Sequence, residues 1–382
     1  MYLSKNNNFY HGIMFHHFHD DKTHMTGQGS INKDDFYKII KFIGRNNILD
    51  ANVFFEKSKK NKLRDNEVCF TFDDAIKCQI DIALPVLEEL KIKSFFFVYT
   101  SVFEDKPDNL EFFRYFRMNY FKSVDEFYDN FYKVLDKDLK SFFEKNSIKI
   151  KKKKIKFPHY SISDIKFRLV RDVFLTKVQY EEKMLLMFKE KQFNHNDFSK
   201  KLFFQKSDLQ TLNNLGHLIG LHSHNHPTLL EKLNYDEQKN EYEKCLSIIS
   251  KVISKPKDEI KFMSHPCGSY NSYTLDILKK LGIEIGFKQI MEIEVERGMN
   301  KVNNSHLEIA RQDHSEILKR IPDFPEIMDK ANYALQLMAE GKLNISSGGS
   351  KKLEIEQMKL RNLRNNLIIG FLSIVIIALL VF

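Results

Sequence analysis

The chain has 382 residues, of which 42% are hydrophobic and 29% are charged, a composition typical of a globular protein with one large domain or two smaller ones. Its formal net charge is +9, but the lysines are spread along the chain and no nucleic-acid-binding motif is present, so no nucleic-acid partner is predicted. Four scattered cysteines without a Cys-x-x-Cys pair argue against a disulfide scaffold and against a cysteine-based zinc site.

Six short apolar segments predict strands, and each is followed by a polar turn and a helical pattern. They are residues 12–18, 67–72, 94–100, 217–222, 261–265 and 284–287. Helices are predicted over 75–90, from a capping box at Ser207, and from a cap at Asn271 or Ser272. Continuous apolar strands indicate a buried parallel sheet, either an α/β barrel or an open sheet. In both architectures ligands bind at the carboxyl ends of the strands.

The strand-and-helix pattern occupies residues 1–103 and 206–330, separated by a helical insertion at 104–205. Phenylalanines at helical spacing in the insertion predict a subdomain core, with a lid or a substrate wall as the alternative. Residues 331–366 predict a linker and a charged helix.

The last stretch, residues 367–382, is almost entirely apolar. It is short for a membrane span, which needs about 20 residues, yet it has no polar face, so it predicts a single-pass C-terminal anchor. Arg361 and Arg364 precede it, and basic flanks favour the cytoplasmic side. The alternative is a buried terminal helix.

Two predicted strands end in groups that suit a metal. The segment Val68-Cys-Phe-Thr-Phe-Asp-Asp74 ends in two carboxylates, which are costly to bury unless paired or metal-bound, although a helix N-cap is the alternative. The segment ending at His222, His224 and His226 supplies three imidazoles, and the His-x-x-x-His spacing suits a divalent ion. Imidazole with carboxylate favours zinc, with cobalt, nickel or iron as alternatives.

Together with the turn Ser264-His-Pro-Cys-Gly268, these segments resemble the motifs of the polysaccharide deacetylase family, the NodB-homology or carbohydrate esterase family 4 enzymes. Thr71-Phe-Asp-Asp74 resembles the first motif, His222-Ser-His-Asn-His226 the second, and Ser264–Gly268 the third in part. The resemblance spans roughly residues 10–103 and 206–315 and implies a distorted (β/α) barrel.

The resemblance also implies roles for individual residues. Asp74, His222 and His226 would bind one divalent ion, and Asp73 would be the general base. Pro266 and Gly268 of the third turn would line the substrate site.

The chain departs from the family pattern at two positions. Ser264 replaces the arginine of the third motif, so Arg311 is the candidate for that charge, with an ordinary surface arginine as the alternative. The late histidine that supplies the catalytic acid has no clean match, and His314 or His306 are the candidates. Near the first strand, His17 or His19 is expected to line the pocket, unless these are loop histidines without a role.

The sequence thus predicts a hydrolase that removes acetyl groups from N-acetylated sugars in surface glycan metabolism. Its location would favour lipid-linked or nucleotide-linked sugars as substrates. The alternatives are an inactive glycan-binding protein and a membrane scaffold.

Overall fold

A computed structural model of the protein describes residues 11–64, 66–104, 108–135, 137–156, 160–194, 198–289 and 305–321. Within these residues, seven strands form one sheet. They are β1 (Gly12–Phe15), β2 (Cys69–Asp73), β3 (Phe95–Val98), β4 (Leu218–Leu221), β5 (Phe262–Ser264), β6 (Ile285–Phe287) and β7 (Arg311–Asp313).

The sheet order is β6-β5-β4-β3-β2-β1-β7, and every strand pair is parallel. A further parallel bridge joins Phe287 of β6 to Ile309, two residues before β7. The sheet therefore curls into a nearly closed parallel barrel. The predicted (β/α) barrel is confirmed, and the open sheet is excluded.

Helices connect the strands. They are α1 (Lys33–Ile43), α2 (Ala51–Lys59), α3 (Leu84–Glu89), α4 (Leu110–Asn119), α5 (Val124–Leu135), α6 (Lys140–Lys145), α7 (Ser147–Lys156), α8 (Ile162–Leu169), α9 (Lys177–Glu190), α10 (Ser199–Leu202), α11 (Lys206–Asn214), α12 (Tyr235–Ile253), α13 (Ser272–Lys280) and α14 (His314–Leu318). Two segments are π-helical, Gln79–Ala83 before α3 and Val170–Phe174 after α8.

Alternation along β2 divides its side chains between two faces. Cys69 packs in a buried cluster with Phe95 and Phe97 of β3, whereas Phe70 and Phe72 contact Phe36 of α1 through their rings. Successive strand residues point to opposite faces, so Thr71 and Asp73 share the face of Cys69.

On the neighbouring strands, Gly12 of β1 lies directly beside Arg311 of β7. A Cβ atom at Gly12 would lie 2.7 Å from Cγ of Arg311 and 3.1 Å from Cδ1 of Phe287. A side chain at this position would collide with both neighbours. The glycine therefore leaves room for a buried arginine next to β1.

Helices α4 to α10 lie between β3 and α11, in the stretch predicted as an insertion. Their phenylalanines form a core of their own, including Phe113, Phe116 and Phe188, which are buried. The rings of Phe116 and Phe188 have centroids 4.6 Å apart. Packing among aromatic rings accounts for these side chains without a ligand.

Some predicted boundaries were wrong. The helix predicted to start with a cap at Ser207 begins after Gln205, whose backbone N–H donates to Asp208 at 2.8 Å. Asn271, one of two candidate caps, is the cap of α13. Strand β7 was not predicted at all.

No helix in the described part of the chain is long and apolar enough to cross a bilayer. The predicted anchor, residues 367–382, lies outside the described residues, as do the linker and charged helix predicted for 331–366.

Candidate metal centre and catalytic cleft

Three turns at the carboxyl ends of strands hold non-glycine residues with positive φ. Asp74 follows β2 with φ of 76°, His226 follows β4 with φ of 52°, and Cys267 follows β5 with φ of 50°. This backbone conformation is uncommon for residues with a side chain and clusters at functional sites. At Asp74 the positive φ allows its side chain to lie on the same side as that of Asp73, because consecutive residues of a regular strand point to opposite faces.

The turn after β4 is fixed by hydrogen bonds from its backbone. The amides of His224 and Asn225 donate to Oε2 of Glu241 on α12 at 2.9 and 2.7 Å. The amide of His226 donates to Oγ of Ser223 at 3.0 Å. These bonds orient His222 and His226 toward each other.

Asp74, His222 and His226 bring one ligand atom each to a common point. Oδ1 of Asp74 lies 3.2 Å from Nε2 of His222 and 3.2 Å from Nε2 of His226. The two Nε2 atoms are 3.1 Å apart. A tetrahedral zinc ion with bonds of about 2.0–2.1 Å would separate its ligands by roughly 3.3 Å. The spacing of the three atoms therefore fits a single divalent ion.

The hydrogen bonding of these groups also fits an ion. Nδ1 of His222 contacts the carbonyl oxygen of Ser264 at 2.9 Å, and a donor there leaves Nε2 as an acceptor. Oδ1 of Asp74 is buried and has no hydrogen-bond partner. Buried acceptors that face one another repel unless a cation lies between them.

His224, the third imidazole of the segment, points elsewhere. Its Nδ1 lies 2.9 Å from Oγ1 of Thr100, and its Nε2 lies 3.3 Å from Oε2 of Glu104. It is therefore engaged with the start of the insertion and is not part of the ligand group.

Asp73 lies beside this group and forms a two-pronged ion pair with Arg311. The guanidinium nitrogens lie 2.8 and 2.7 Å from Oδ1 and Oδ2, and both side chains are 1% exposed. Nη1 of Arg311 also donates to Oγ1 of Thr71 at 3.2 Å.

These contacts determine the ionisation of Asp73. Burial alone would raise the pKa of Asp73, but the charges of Arg311 and His222 outweigh it and lower the pKa from its ordinary value. Asp73 is therefore ionised at neutral pH. Ser264, which stands where the family motif has arginine, donates from Oγ to Oδ1 of Asp73 at 3.2 Å.

One cavity, of about 380 Å³, opens over these side chains. Both carboxylates and both ligand histidines line it, together with His16, His17, Cys267, Arg311 and His314. Nε2 of His16 lies 3.9 Å from Oδ2 of Asp73 and 3.8 Å from Oδ2 of Asp74. The His16 side chain is 22% exposed, so it faces the substrate side of the group.

Of the two histidines predicted to line the pocket, His17 and His19, only His17 lines the cavity, and His16, which was not predicted, lines it as well. Nε2 of His17 lies 2.7 Å from Oε2 of Glu111, and burial, followed by the charge of Arg114, lowers the His17 pKa to about 4. Nδ1 of His19 lies 2.8 Å from Oγ of Ser30, and His19 is not among the residues that line the cavity.

The third turn contributes a different residue from the two expected. Pro266 is buried and neither it nor Gly268 lines the cavity, whereas Cys267 between them does. The amide of Gly268 donates to the carbonyl of His265 at 3.0 Å, and the amide of Ser269 donates to Pro266 at 2.9 Å. The backbone N–H groups of both residues thus form hydrogen bonds within the turn.

His314, the candidate acid, is 3% exposed. Its Nδ1 lies 3.0 Å from the carbonyl of Met14, and its Nε2 lies 2.9 Å from the carbonyl of Gly29. Both nitrogens are therefore occupied by backbone acceptors. His306, the other candidate, is not among the residues that line the cavity.

Residues 173–286 match a family model described as polysaccharide deacetylase. The resemblance predicted from the motifs is confirmed. The polysaccharide deacetylase match includes the second and third motifs, with His222 and His226, and it does not include Asp73, Asp74 or Arg311. No curated protein matches the chain.

Comparison with solved structures finds similarity to several chains, three of which follow. The Streptococcus pyogenes deacetylase PplD, in complex with acetate, is 14% identical, covers 83% of this chain and 99% of its own, and has a TM-score of 0.48. A de-N-acetylase from Aggregatibacter actinomycetemcomitans is 13% identical over 84% and 98% of the two chains, with a TM-score of 0.45. IcaB from Ammonifex degensii is 10% identical over 82% and 98%, with a TM-score of 0.46.

Proposed function

We propose that the protein is a metal-dependent hydrolase that removes the acetyl group from an N-acetylated sugar of a glycan or of its precursor. The observation that carries the proposal is the convergence of Asp74, His222 and His226 on one point, with ligand atoms 3.1–3.2 Å apart. The ionised Asp73 lies beside them. The polysaccharide deacetylase match over residues 173–286 supports the choice of reaction.

A divalent ion held by the three ligands would polarise the acetyl carbonyl and activate a water molecule, and zinc suits this donor set. Asp73 would accept the proton of that water as it attacks the acetyl carbon. Arg311 holds both oxygens of Asp73 at 2.7–2.8 Å, so it fixes the orientation of the base. The lowered pKa of Asp73 keeps its carboxylate ionised, so that it can accept a proton.

Cleavage of the carbon–nitrogen bond releases acetate and requires a proton on the leaving amine. His16 is suited to supply it, because its Nε2 lies within 4 Å of both carboxylates and its side chain is partly exposed in the cavity. His314 is less suited, since each of its nitrogens contacts a backbone carbonyl. We therefore assign the general acid to His16.

The proposal is tested by metal content and acetate release. The purified full-length protein should contain about one divalent ion per chain by mass spectrometry, and it should release acetate from N-acetylglucosamine oligomers. A His222→Ala, His226→Ala variant should lose both the ion and the activity. His224→Asn is the matched control, because His224 lies in the same segment but outside the ligand group; it should keep the ion.

Two results would contradict the proposal. Absence of metal after loading with zinc, cobalt, nickel or iron would exclude the metal-dependent reaction. Binding of the oligomers without acetate release, unchanged in Asp73→Asn, would favour the inactive glycan-binding alternative, because a base is needed only for hydrolysis.

We also propose, from the sequence alone, that residues 367–382 anchor the protein to a membrane with the catalytic part in the cytoplasm. A lipid-linked or nucleotide-linked sugar would then be the substrate within reach. Full-length protein found in the soluble fraction after cell lysis, without detergent, would contradict the anchor.

A further inference from the structure

The insertion contributes a row of cations to the cavity over the metal centre. Arg114 and Arg117 of α4 line it, as do Arg168 of α8 and Arg171 of the π-helical segment that follows. Each pair is spaced three residues apart, which places both members on one helix face. Two helices thus present paired guanidinium groups to the same space.

Most of these cations have a partner within the protein. Arg171 bonds to both oxygens of Asp172, at 2.7 and 2.9 Å. Nε of Arg168 lies 3.3 Å from Asp164, and Nη2 of Arg114 donates to the carbonyl of Gln28 at 2.6 Å. These contacts hold the groups in place where they line the cavity.

Arg117 is different. It is 8% exposed, its Nε is buried without a hydrogen-bond partner, and no carboxylate among the described residues forms an ion pair with it. Its guanidinium carbon lies 5.4 Å from the centre of the Phe167 ring. The carboxylate of Asp164, whose pKa is lowered mainly by Arg168 and then by Arg117 against the effect of burial, also bonds to Tyr128 and Gln28.

Asp164 is thus shared between Arg168, which it contacts at 3.3 Å, and Arg117, which it influences from a longer distance. A buried guanidinium that shares its carboxylate and has an unbonded Nε is stabilised by a further anion from a ligand. Arginine forks match the oxygens of phosphate, and several arginines together suit a group with more than one negative charge. The cavity that holds Arg117 is the one that holds Asp74 and His226. Cys267 also lines this cavity.

We propose that Arg117, with Arg168 and Arg114, forms a subsite for a phosphate group attached to the acetylated sugar. This proposal rests on the proposed function, since it names the substrate class of the same cleft. The enzyme would act on a phosphorylated or diphosphate-linked acetylated sugar, with the acetyl group at the metal centre and the phosphate between α4 and α8.

The test compares ligands by equilibrium binding to the full-length protein. N-acetylglucosamine 1-phosphate should bind about 10-fold more tightly than N-acetylglucosamine, because a charge-assisted bond contributes enough for a factor of that size. Arg117→Gln should remove this preference, and Arg117→Lys should restore part of it. Lys60→Gln, which removes an exposed cation that pairs with Glu56, should keep it.

A second variant tests the same subsite independently, in case Arg117→Gln does not fold. Arg168 is partly exposed and its guanidinium lies 4.0 Å from the centre of the Tyr160 ring. Arg168→Gln should also weaken the preference, and circular dichroism should show both variants folded. Comparing N-acetylglucosamine linked through a diphosphate to a polyprenol carrier in detergent micelles with N-acetylglucosamine 1-phosphate distinguishes a lipid-linked from a free source.

Equal affinity of the wild-type protein for the phosphorylated and neutral sugars would overturn the subsite. So would tighter binding of a carboxylated sugar than of the phosphate. Affinity and acetate release are measured separately, so the two proposals fail separately: acetate release together with equal affinity for the neutral and phosphorylated sugars would leave the hydrolase and refute the subsite. Phosphate preference without acetate release would leave the subsite and refute the hydrolase.

Discussion

Replacing Arg311 with methionine tests the electrostatic role of the buried ion pair. Asp73 and Arg311 are each 1% exposed and joined by two contacts of 2.7–2.8 Å. Removing one partner of such a pair leaves an uncompensated buried charge and costs about 3–5 kcal/mol of the free energy of unfolding. At about 2–4 °C for each kcal/mol, the melting temperature should fall by roughly 6–20 °C.

The sign of the pH dependence sharpens this prediction. In the wild-type protein the Asp73 pKa is lowered, so its stabilising contribution is present above about pH 3.9 and is lost as the pH falls through the folded-state pKa. In Arg311→Met, burial is no longer opposed by the charge of Arg311, and the Asp73 pKa rises relative to the wild type. The variant's deficit should therefore be largest near pH 7 and should shrink in acid.

The assay is urea unfolding of the full-length protein with excess chelator, so that loss of metal does not contribute. Arg311→Met combined with Asp73→Asn removes both charges and should recover about half of the loss or more. Lys60→Met, which breaks the exposed pair with Glu56 at 3.0 Å, should cost at most about 1 kcal/mol. The reasoning is refuted if the single variant behaves like the Lys60 control, or if the double variant is no more stable than the single one.

Three further predictions concern other positions. Gly12→Ala should cost about 1–3 kcal/mol of the free energy of unfolding, measured in urea, because its Cβ would lie 2.7 Å from Arg311; wild-type stability would contradict the packing argument. Burial lowers the His217 pKa to about 4, so its stabilising effect is present above about pH 6.5 and is lost toward pH 4. When the pH falls from 7 to 5, the free energy of unfolding of His217→Gln should therefore decrease by about 2 kcal/mol less than that of the wild type. Identical pH profiles of the two proteins would refute this. His16→Asn should lower kcat for acetate release about 10²–10⁴-fold with metal content unchanged, and an unchanged kcat would remove His16 as the acid.

The sequence predicted the parts of the fold that depend on apolar runs. The six predicted strands are present, each shorter by a residue or more at one or both ends, because the strand pairing stops before most of the polar residues that flank each apolar run; β2 alone runs one residue further, to Asp73. Strand β7 was missed because its residues, Arg311-Gln-Asp313, are all polar although all are buried. Arg311 of this strand is buried because it pairs with the carboxylate of Asp73. A pattern of apolar residues cannot reveal a contact of this kind.

The candidate site was predicted to a similar extent. Asp73, Asp74, His222 and His226 converge, since the carboxyl ends of all strands of a parallel barrel, here β2 and β4 on either side of β3, lie at the same end. Of the two N-terminal histidines predicted to line the pocket, His17 lines the cavity and His19 does not, and His16 was missed. Three imidazoles in four residues look equivalent until the alternation of the strand is known. Counting from Gly12, which faces Arg311, through Met14 would have placed His16 on the same face.

The pairing of Asp73 with Arg311 joins residues 238 positions apart. At about 5–20 residues per second, roughly 10–50 s of protein synthesis separate the two side chains. During that interval the nascent chain already carries the first carboxylate and later both imidazoles, but it lacks the cation that makes burial of Asp73 favourable. The Asp73–Arg311 pair can therefore form only after β7, the strand that carries Arg311, has left the ribosome.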